Sequence, residues 1–518
     1  LPDAARTQRN LVAVLLLVLA TFTVLSFGAV FTKRKNLMLM TGGFLIAGIL
    51  FNMYYQYSYE KDYLSEFSDQ GEALDKLETG TDLAVLKTGD ESIYRYDQMG
   101  THSYENSSMQ TGTNSTSYYF SVASGDITNF FNEVDLNTPW DYHYENLDSR
   151  TILDRLAAVK YFVVKAGEEE YLPYGYDTLA AEAEKKDRLY RAYECKNALP
   201  IGYTYDSYIP EKKYAKMSTV EKQQALLQGV VLADSAVPET TPEFNDREVS
   251  YKLVTGSGCK EKDGKLIITK ENAQAKLVFD GLDECETYLI TEGVDYEALS
   301  PRELISDKKW NKMTLYEQKK VQYENSKWRY WKESQKAYID VTGQFLDKTI
   351  SIFTDKYNAY SGRSDFLCNT GYSEKGKKSI TLTFENTGVY SYKDMKVVCQ
   401  PMKNIESQTS RLGTESLKDV KIKNHELTGS ISVSKDKVLV ISLPYSKGFQ
   451  AYVDGQKTEL KQANTMYMAL ELTKGDHEIR ITYYTPYLKT GLVLTCVGIL
   501  CYICVVLVCK KRRGNKET

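Results

Sequence analysis

Three long apolar runs constrain this chain more than any other feature, because each has the length of a membrane-crossing helix. The first, residues 11–31, contains 21 residues without a charge, and a bilayer core takes about 20 apolar residues as a helix. The second, residues 37–54, is shorter and contains three glycines, which membrane helices tolerate where they pack closely. The third is residues 488–508. We therefore predict three transmembrane helices, at 11–31, 37–54 and 488–508.

Basic clusters predict how these helices are oriented. Lysine and arginine fill positions 33–35 between the first two runs and positions 510–513 after the third, and such clusters favour the cytoplasmic side. This places residues 1–10 in an outer loop, 32–36 in a cytoplasmic loop, 55–487 outside, and 509–518 in a basic cytoplasmic tail. A cleaved signal peptide is the competing interpretation of the first run. A basic cluster follows that run in place of a small-residue cleavage site, which argues against it.

The first residues and the composition narrow the function classes. The chain starts Leu-Pro-Asp without an initiator Met, so we expect the C-terminal part of a longer membrane protein. The net charge is −4, from 65 basic and 69 acidic residues, which argues against a nucleic-acid partner. The four histidines lack metal-ligand spacing, and no phosphate-binding loop or nucleophile elbow occurs. We assign no catalytic residue, metal or cofactor from motifs.

The first outer segment, residues 55–240, predicts a mixed α/β domain. "AVKYFVV" at 158–164 is typical of a buried strand, and the stretch starting at Asp177, "DTLAAEAEKKDRLYRAYE", favours a helix. Ser218 and Glu221 have capping-box spacing, which predicts a helix start. Residues 94–136 are rich in Ser, Thr, Asn, Gly and Tyr. We expect a looped polar surface there.

The second outer segment, residues 241–487, predicts short strands in β-sandwich or jelly-roll modules. A helical insertion at about 300–338 starts with a capping box at Ser300 and Glu303. Its aromatic and basic residues predict an amphipathic helix packed on a sheet, with single-stranded nucleic acid or an anionic membrane surface as alternatives. Asp454-Gly455 predicts a tight hairpin. The fold class is therefore α-helical spans plus a large extracytoplasmic α+β region.

Several stretches together resemble the bacterial YfhO-type membrane protein family. They are "RYDQMGTHSYENSSMQTGTNSTSYYFS", "ILDRLAAVKYFVV", "YECKNALPIGYTYDSYI", "LPYSKGFQAYVDGQKTEL" and "LELTKGDHEIRITYYTP". The resemblance covers nearly the whole chain, and the last two stretches are its most specific part. It implies a multi-pass protein of the bacterial cell membrane that is similar to GT-C-type glycosyltransferases. Such enzymes use a polyprenyl-phosphate sugar donor at the outer face of the cell membrane. The resemblance implies that the acceptor is an envelope polymer such as lipoteichoic acid.

The resemblance assigns no catalytic residue to this sequence, because the acidic catalytic residue of GT-C enzymes typically lies near N-terminal spans that this chain lacks. We expect the outer modules to hold the polymer acceptor. The candidate surface lies within residues 94–119, with Tyr104, Asn106, Tyr118 and Tyr119 as binding residues, since exposed polar loops often carry function. The structural alternative is a loop that covers the membrane domain.

Two other functions fit the sequence. One is a non-enzymatic, membrane-anchored protein that binds or scaffolds glycans. The other is an accessory subunit of a transporter or secretion complex, although no nucleotide-binding motif supports it. About ten further spans with an acidic outer loop before Leu1 would favour the transferase.

Overall fold

The computed structural model describes residues 23, 33–57, 88–98, 106, 108–109, 112–136, 143–144, 146–185, 188–343, 346–358 and 360–514. These residues belong to two units, 1–79 and 80–518. In the first unit, helix α1 (Arg34–Tyr57) contains the second predicted span. Within this helix, the apolar stretch Thr41–Leu50 is shorter than a membrane span. The first predicted span lies outside the described residues except for Thr23, which is helical.

The third predicted span coincides with the last helix of the second unit. Within that helix, Leu488–Val508 is long and apolar enough to cross a membrane, and no other helix in the described part of the chain meets both criteria. The apolar side chains are exposed along its length, as expected of a helix that packs against lipid. The two N-terminal spans remain predictions.

The first outer segment contains nine strands and four helices among its described residues. The strands are β1 (Arg95–Gln98), β2 (Tyr118–Tyr119), β3 (His143–Tyr144), β4 (Val159–Lys165), β5 (Tyr176–Lys185), β6 (Arg188–Cys195), β7 (Gly202–Tyr205), β8 (Tyr208–Pro210) and β9 (Val230–Leu232). The helices are α2 (Gly125–Glu133), α3 (Thr151–Leu156), α4 (Glu211–Tyr214) and α5 (Thr219–Ala225), with a 3-10 turn at Glu169–Tyr171. One sheet has the order β1-β4-β6-β5, in which β1 and β4 are parallel and the other pairs are antiparallel.

Two local predictions in this segment are confirmed and one is wrong. The "AVKYFVV" strand is β4, and Ser218 caps α5 with a complete capping box to Glu221. The stretch starting at Asp177, predicted as a helix, instead forms the hairpin β5–β6. Sheet pairing overrides helix propensity here, because β6 also pairs with β4 and buries Tyr190 and Ala192 against it.

The polar loop predicted for residues 94–136 is also partly wrong. Strand β1 buries Tyr96 completely, and α2 buries Phe130 and Phe131 in the main core. Ser124 caps α2 by accepting a hydrogen bond from the Asp126 backbone N–H. The abundant small polar residues obscured a short amphipathic helix, which becomes stable when its aromatic face is buried.

The central β module contains thirteen strands and two helices among its described residues. The strands are β10 (Arg247–Val249), β11 (Tyr251–Thr255), β12 (Cys259–Lys262), β13 (Lys265–Ile268), β14 (Ala273–Phe279), β15 (Cys285–Glu292), β16 (Asp295–Ala298), β17 (Lys336–Thr342), β18 (Asp347–Phe353), β19 (Phe366–Ser373), β20 (Ser379–Phe384), β21 (Gly388–Ser391) and β22 (Asp394–Pro401). The helices are α6 (Asp307–Trp310) and α7 (Leu315–Trp331). Three antiparallel sheets, β10-β22-β15-β19, β11-β14-β20-β17-β18 and β12-β13-β21-β16, contribute to one apolar core.

The helical insertion differs from the prediction in two ways. Ser300 and Glu303 make both capping-box hydrogen bonds, but residues 301–304 form turns and only the short helix α6 follows. The long helix α7 starts at a second capping box formed by Thr314 and Glu317. The aromatic side chains of α7 were expected to pack on the sheet, yet none of its residues is buried. The strands fill the core with their own alternating side chains, and Val321 and Trp328 of α7 are only half-buried.

The C-terminal β module contains eight strands and is followed by the long apolar helix. The strands are β23 (Lys418–Lys423), β24 (Glu426–Val433), β25 (Lys437–Pro444), β26 (Phe449–Val453), β27 (Gln456–Thr458), β28 (Lys461–Ala463), β29 (Tyr467–Leu472) and β30 (Gly475–Tyr483). The helices are α8 (Ile405–Gly413), before the strands, and α9 (Leu488–Gly514), after them. The sheets have the orders β23-β24-β30-β26-β27 and β28-β29-β25-β7.

Strand β25 is buried on both faces and joins two cores. Its Val438 and Val440 belong to the core of the first outer segment, whereas Leu439 and Ile441 belong to the core of the C-terminal module. Successive side chains of a strand point to opposite faces. Because both faces of β25 are buried, its sequence is a continuous run of apolar residues. The Asp454-Gly455 hairpin is confirmed: both residues have positive φ, 52° and 77°, between paired strands β26 and β27.

Candidate functional site

The predicted tyrosine surface is organised by one asparagine. The Asn106 side chain donates to the Tyr119 carbonyl at 2.9 Å and accepts from the Tyr119 backbone N–H at 3.2 Å. This paired contact holds β2 in place, so Asn106 has a structural role in addition to any contact with a ligand. Tyr104 lies outside the described residues.

Tyr118 and Tyr119 occupy different environments. The Tyr118 ring packs against Tyr144, with centroids 4.7 Å apart, and burial raises the pKa of its hydroxyl. Tyr119 is 47% exposed and lies edge-on to His143. Phe120 beside it is also exposed. Of the predicted residues that the structure describes, Tyr119 is therefore the one that presents ring surface to solvent.

Asp97 lies buried close to this surface. One of its carboxylate oxygens accepts from the Thr116 hydroxyl at 2.7 Å, and the other accepts from the Gln98 backbone N–H at 2.7 Å. Because Asp97 is fully buried, desolvation raises its pKa to about 7, although these hydrogen bonds oppose the shift. Asp97 can therefore hold a proton near neutral pH.

Asp97 belongs to a larger group that we term the acidic cluster: Asp97, Asp148, Asp154, Glu286 and Lys348. Asp148 pairs with the Lys348 ammonium at 2.6 Å. Burial lowers the pKa of Lys348, but Asp148 outweighs this effect and raises it. Asp154 and Glu286 have raised pKa values, chiefly because they are buried. The cluster joins α3 to strands β15 and β18 of the central module.

The backbone beside the acidic cluster is strained at Ser149, whose φ is 51°. Asn146 and Asp148, with φ of 72° and 62°, lie in the same left-handed region, which Asn and Asp tolerate better than other non-glycine residues. The Asn369 amide stabilises this turn by donating to the carbonyls of Asp148 and Ser149. Both carboxyl oxygens of Asp154 are buried without a hydrogen-bond partner among the described residues. Strain and unsatisfied buried polar atoms are features that concentrate at functional positions.

A separate open cleft lies between α7 and the central β module, with a volume of about 520 Å³. Its lining combines aromatic and charged side chains, which include Trp328, Phe353, Tyr360, Asp295, Glu297 and Arg363. The size is within the range of small-ligand sites. Aromatic faces can stack on sugar rings while carboxylates and guanidinium groups bind hydroxyls. Unlike the acidic cluster, this cleft is open to solvent.

Comparison with known proteins identifies the family. The family model described as "Bacterial membrane protein YfhO" matches residues 3–495. The chain belongs to the YfhO family of bacterial membrane proteins. It is 22% identical over 524 residues to the uncharacterized protein YfhO of Bacillus subtilis (strain 168), which covers 97% of this chain. The alignment spans 54% of that relative, so the chain corresponds to about half its length.

Two solved structures show a weak likeness to this YfhO-family chain. Two cryo-EM structures of the arabinofuranosyltransferase AftD from Mycobacteria, both of the R1389S mutant, align with it. They have TM-scores of 0.13 and 0.12 and identities of 13% and 10%. They cover 32% and 30% of this chain, and 14% and 13% of the AftD chains. A likeness at this level supports no conclusion on fold or activity.

Sequence reasoning on this YfhO-family chain missed both the acidic cluster and the cleft. The stretch "NLDSRTILDRL" at 146–156 mixes four charged with four apolar residues, a pattern that does not by itself predict burial, yet every residue of that stretch is buried. The cleft has no local signal, because its lining comes from strands and a helix far apart in sequence.

Proposed function

We propose that this chain is the C-terminal part of a polytopic membrane glycosyltransferase with its large domain outside the cell. The enzyme transfers a sugar from a polyprenyl-phosphate donor to a cell-envelope polymer such as lipoteichoic acid. Membership of the YfhO family, the apolar helix α9 and the resemblance of YfhO-type sequences to GT-C enzymes support this proposal. The outer strands form β-sandwich or jelly-roll modules that hold the acceptor.

The cleft carries the acceptor-binding part of the proposal. A sugar or polyol unit of the acceptor stacks on Trp328 and Tyr360, and its hydroxyls hydrogen-bond to Asp295 and Arg363. In the reaction, an acceptor hydroxyl loses its proton to a base and attacks the anomeric carbon of the donor sugar, while polyprenyl phosphate leaves. We place the donor and the base outside this chain, since the raised-pKa carboxyls described above are buried. Tyr119 provides a second stacking surface for the polymer.

Gene deletion and complementation test this function. Deletion of the full-length gene should remove one sugar decoration from the envelope polymers, and the wild-type gene should restore it. A gene carrying Trp328→Ala should restore it poorly, because Trp328 lines the cleft. Trp331→Ala is the matched control, since Trp331 is 67% exposed on the same helix. Unchanged decoration of every envelope polymer after deletion would overturn the proposal.

A non-enzymatic, membrane-anchored glycan-binding protein is the second candidate, because the same cleft would serve it equally well. For this function, the purified chain should bind envelope polymer in a Trp328-dependent way while deletion of the gene leaves all sugar decorations intact.

A further inference from the structure

Helix α7 presents an unusual outer face. Tyr316, Tyr323 and Tyr330 are 79%, 59% and 86% exposed. Their seven-residue spacing places them on one stripe, since seven residues make almost two turns of an α-helix. Successive tyrosines are therefore about 10 Å apart along the helix. Core packing does not account for the stripe, because no residue of α7 is buried.

Basic side chains flank the tyrosine stripe. Lys319, Lys320 and Lys327 lie within about 60° of it on the helical wheel, and all three are exposed. Lys327 Nζ lies 4.3 Å from the centre of the Tyr323 ring, and 3.8 Å from Glu324. Residues 307–332 contain eight basic and three acidic side chains. This segment is strongly positive in a chain whose net charge is negative.

We propose that the tyrosine–lysine face of α7 binds an anionic polymer whose repeats alternate phosphate with sugar or polyol units. The lysines pair with phosphates, and the tyrosine rings stack on the units between them. This inference rests on the proposed function, since it gives that acceptor an additional binding surface outside the cleft. An anionic membrane surface fits less well, because Leu315 is the one large aliphatic side chain exposed among the described residues of α7 and interfacial helices need an apolar face.

Binding of a synthetic glycerol-phosphate oligomer tests the proposal. The purified chain in nanodiscs of neutral phosphatidylcholine is titrated with the fluorescently labelled oligomer, at low and at physiological salt. The variant Lys319→Gln/Lys320→Gln/Lys327→Gln should bind roughly tenfold more weakly, as expected for the loss of three exposed ion pairs. The matched control is Lys260→Gln/Lys262→Gln/Lys265→Gln, which removes the same charge from exposed strands of the same module.

The outcomes separate the possibilities. Equal loss of affinity in both triple variants would reduce the effect to net charge and overturn the proposal. Binding to phosphatidylglycerol vesicles without binding to the oligomer would overturn it in favour of a membrane surface. Tyr323→Ala should weaken binding without altering the salt dependence, and an unchanged affinity would refute the stacking role. If the oligomer binds as expected but gene deletion alters no sugar decoration, the transferase function fails while the binding surface stands.

Discussion

Replacement of Asp97 by asparagine tests whether ionisation of this buried carboxyl lowers the free energy of unfolding. Asp97 is fully buried, and its pKa is raised to about 7, against about 3.9 for an exposed aspartate. The unfolded chain therefore binds fewer protons than the folded chain between these values. Because of this linkage, stability falls as pH rises from about 4 to about 7. In Asp97→Asn the side-chain amide cannot ionise, and its carbonyl oxygen can still accept the Thr116 hydrogen bond.

The magnitude follows from the size of the pKa shift. A shift of about 3 pH units corresponds to about 4 kcal/mol when Asp97 is fully ionised in the folded state. Roughly a third of this cost is already present at about pH 5, where only the unfolded chain is ionised. Between about pH 5 and about pH 8 the wild type should therefore lose about 3 kcal/mol that Asp97→Asn does not lose.

Urea unfolding followed by far-UV circular dichroism, with the chain in nanodiscs, measures this difference. Asp206→Asn is the control. Partial burial raises the pKa of Asp206, but its hydrogen bond to Lys435 outweighs this and lowers it, so its contribution should be constant over this pH range. If the wild type and Asp97→Asn lose equal stability between the two pH values, burial does not raise the pKa of Asp97 and the reasoning is refuted.

Three further changes test local structure. Gly455→Ala should lower the free energy of unfolding by about 1 kcal/mol in denaturant titrations, because its φ of 77° disfavours any Cβ while the space around it is open. Ser218→Ala should cost about 1 kcal/mol in the same assay, because it removes the side-chain cap of the Glu221 N–H. Asp454→Asn should lower the pKa of His477 in an NMR titration. Partial burial lowers that pKa, but the 2.8 Å contact with Asp454 raises it above the usual value, so the stability gained from the pair is lost as pH rises through the raised pKa.

Conservative variants distinguish loss of the turn conformation and of the helix cap from nonspecific destabilisation by the substitution. Gly455→Asn should retain most of the stability, because asparagine tolerates positive φ, and Ser218→Asp should retain the cap. Equal losses in the alanine and conservative variants would contradict the turn and cap explanations. An unchanged pKa of His477 in Asp454→Asn would show that the contact does not hold the proton.

Local sequence signals predicted the elements whose cause is local. The Ser218 capping box and the Asp454-Gly455 turn are confirmed because a few neighbouring residues set their backbone conformation. The β4 strand is confirmed because its continuous apolar run is visible in the sequence, although its hydrogen bonds come from β1 and β6. Glu182 and Glu184 lie in a strand despite their helix propensity, because β5 gains its hydrogen bonds from β6. Propensity is worth a few tenths of a kcal/mol per residue, so long-range pairing decides such cases.

The same distinction applies to the candidate sites. From "NLDSRTILDRL" alone, Asp148 and Asp154 read as ordinary helix and loop charges, yet the fold buries both among residues more than 100 positions away. Of the four predicted tyrosine-surface residues, Tyr104 lies outside the described residues, and the paired contact of Asn106 with Tyr119 was not predicted. The roles of those four residues in binding remain predictions.

The sequence by itself determined the membrane character of this chain, its family and its short-range turns and caps. Apolar run length and dihedral preference are properties of neighbouring residues, and they act before any tertiary contact forms. Tertiary structure alone decided which carboxyls are desolvated, that β25 is buried on both faces, and that the tyrosines of α7 remain in solvent. Burial depends on which distant segments pack together, and a residue's own neighbours do not encode that.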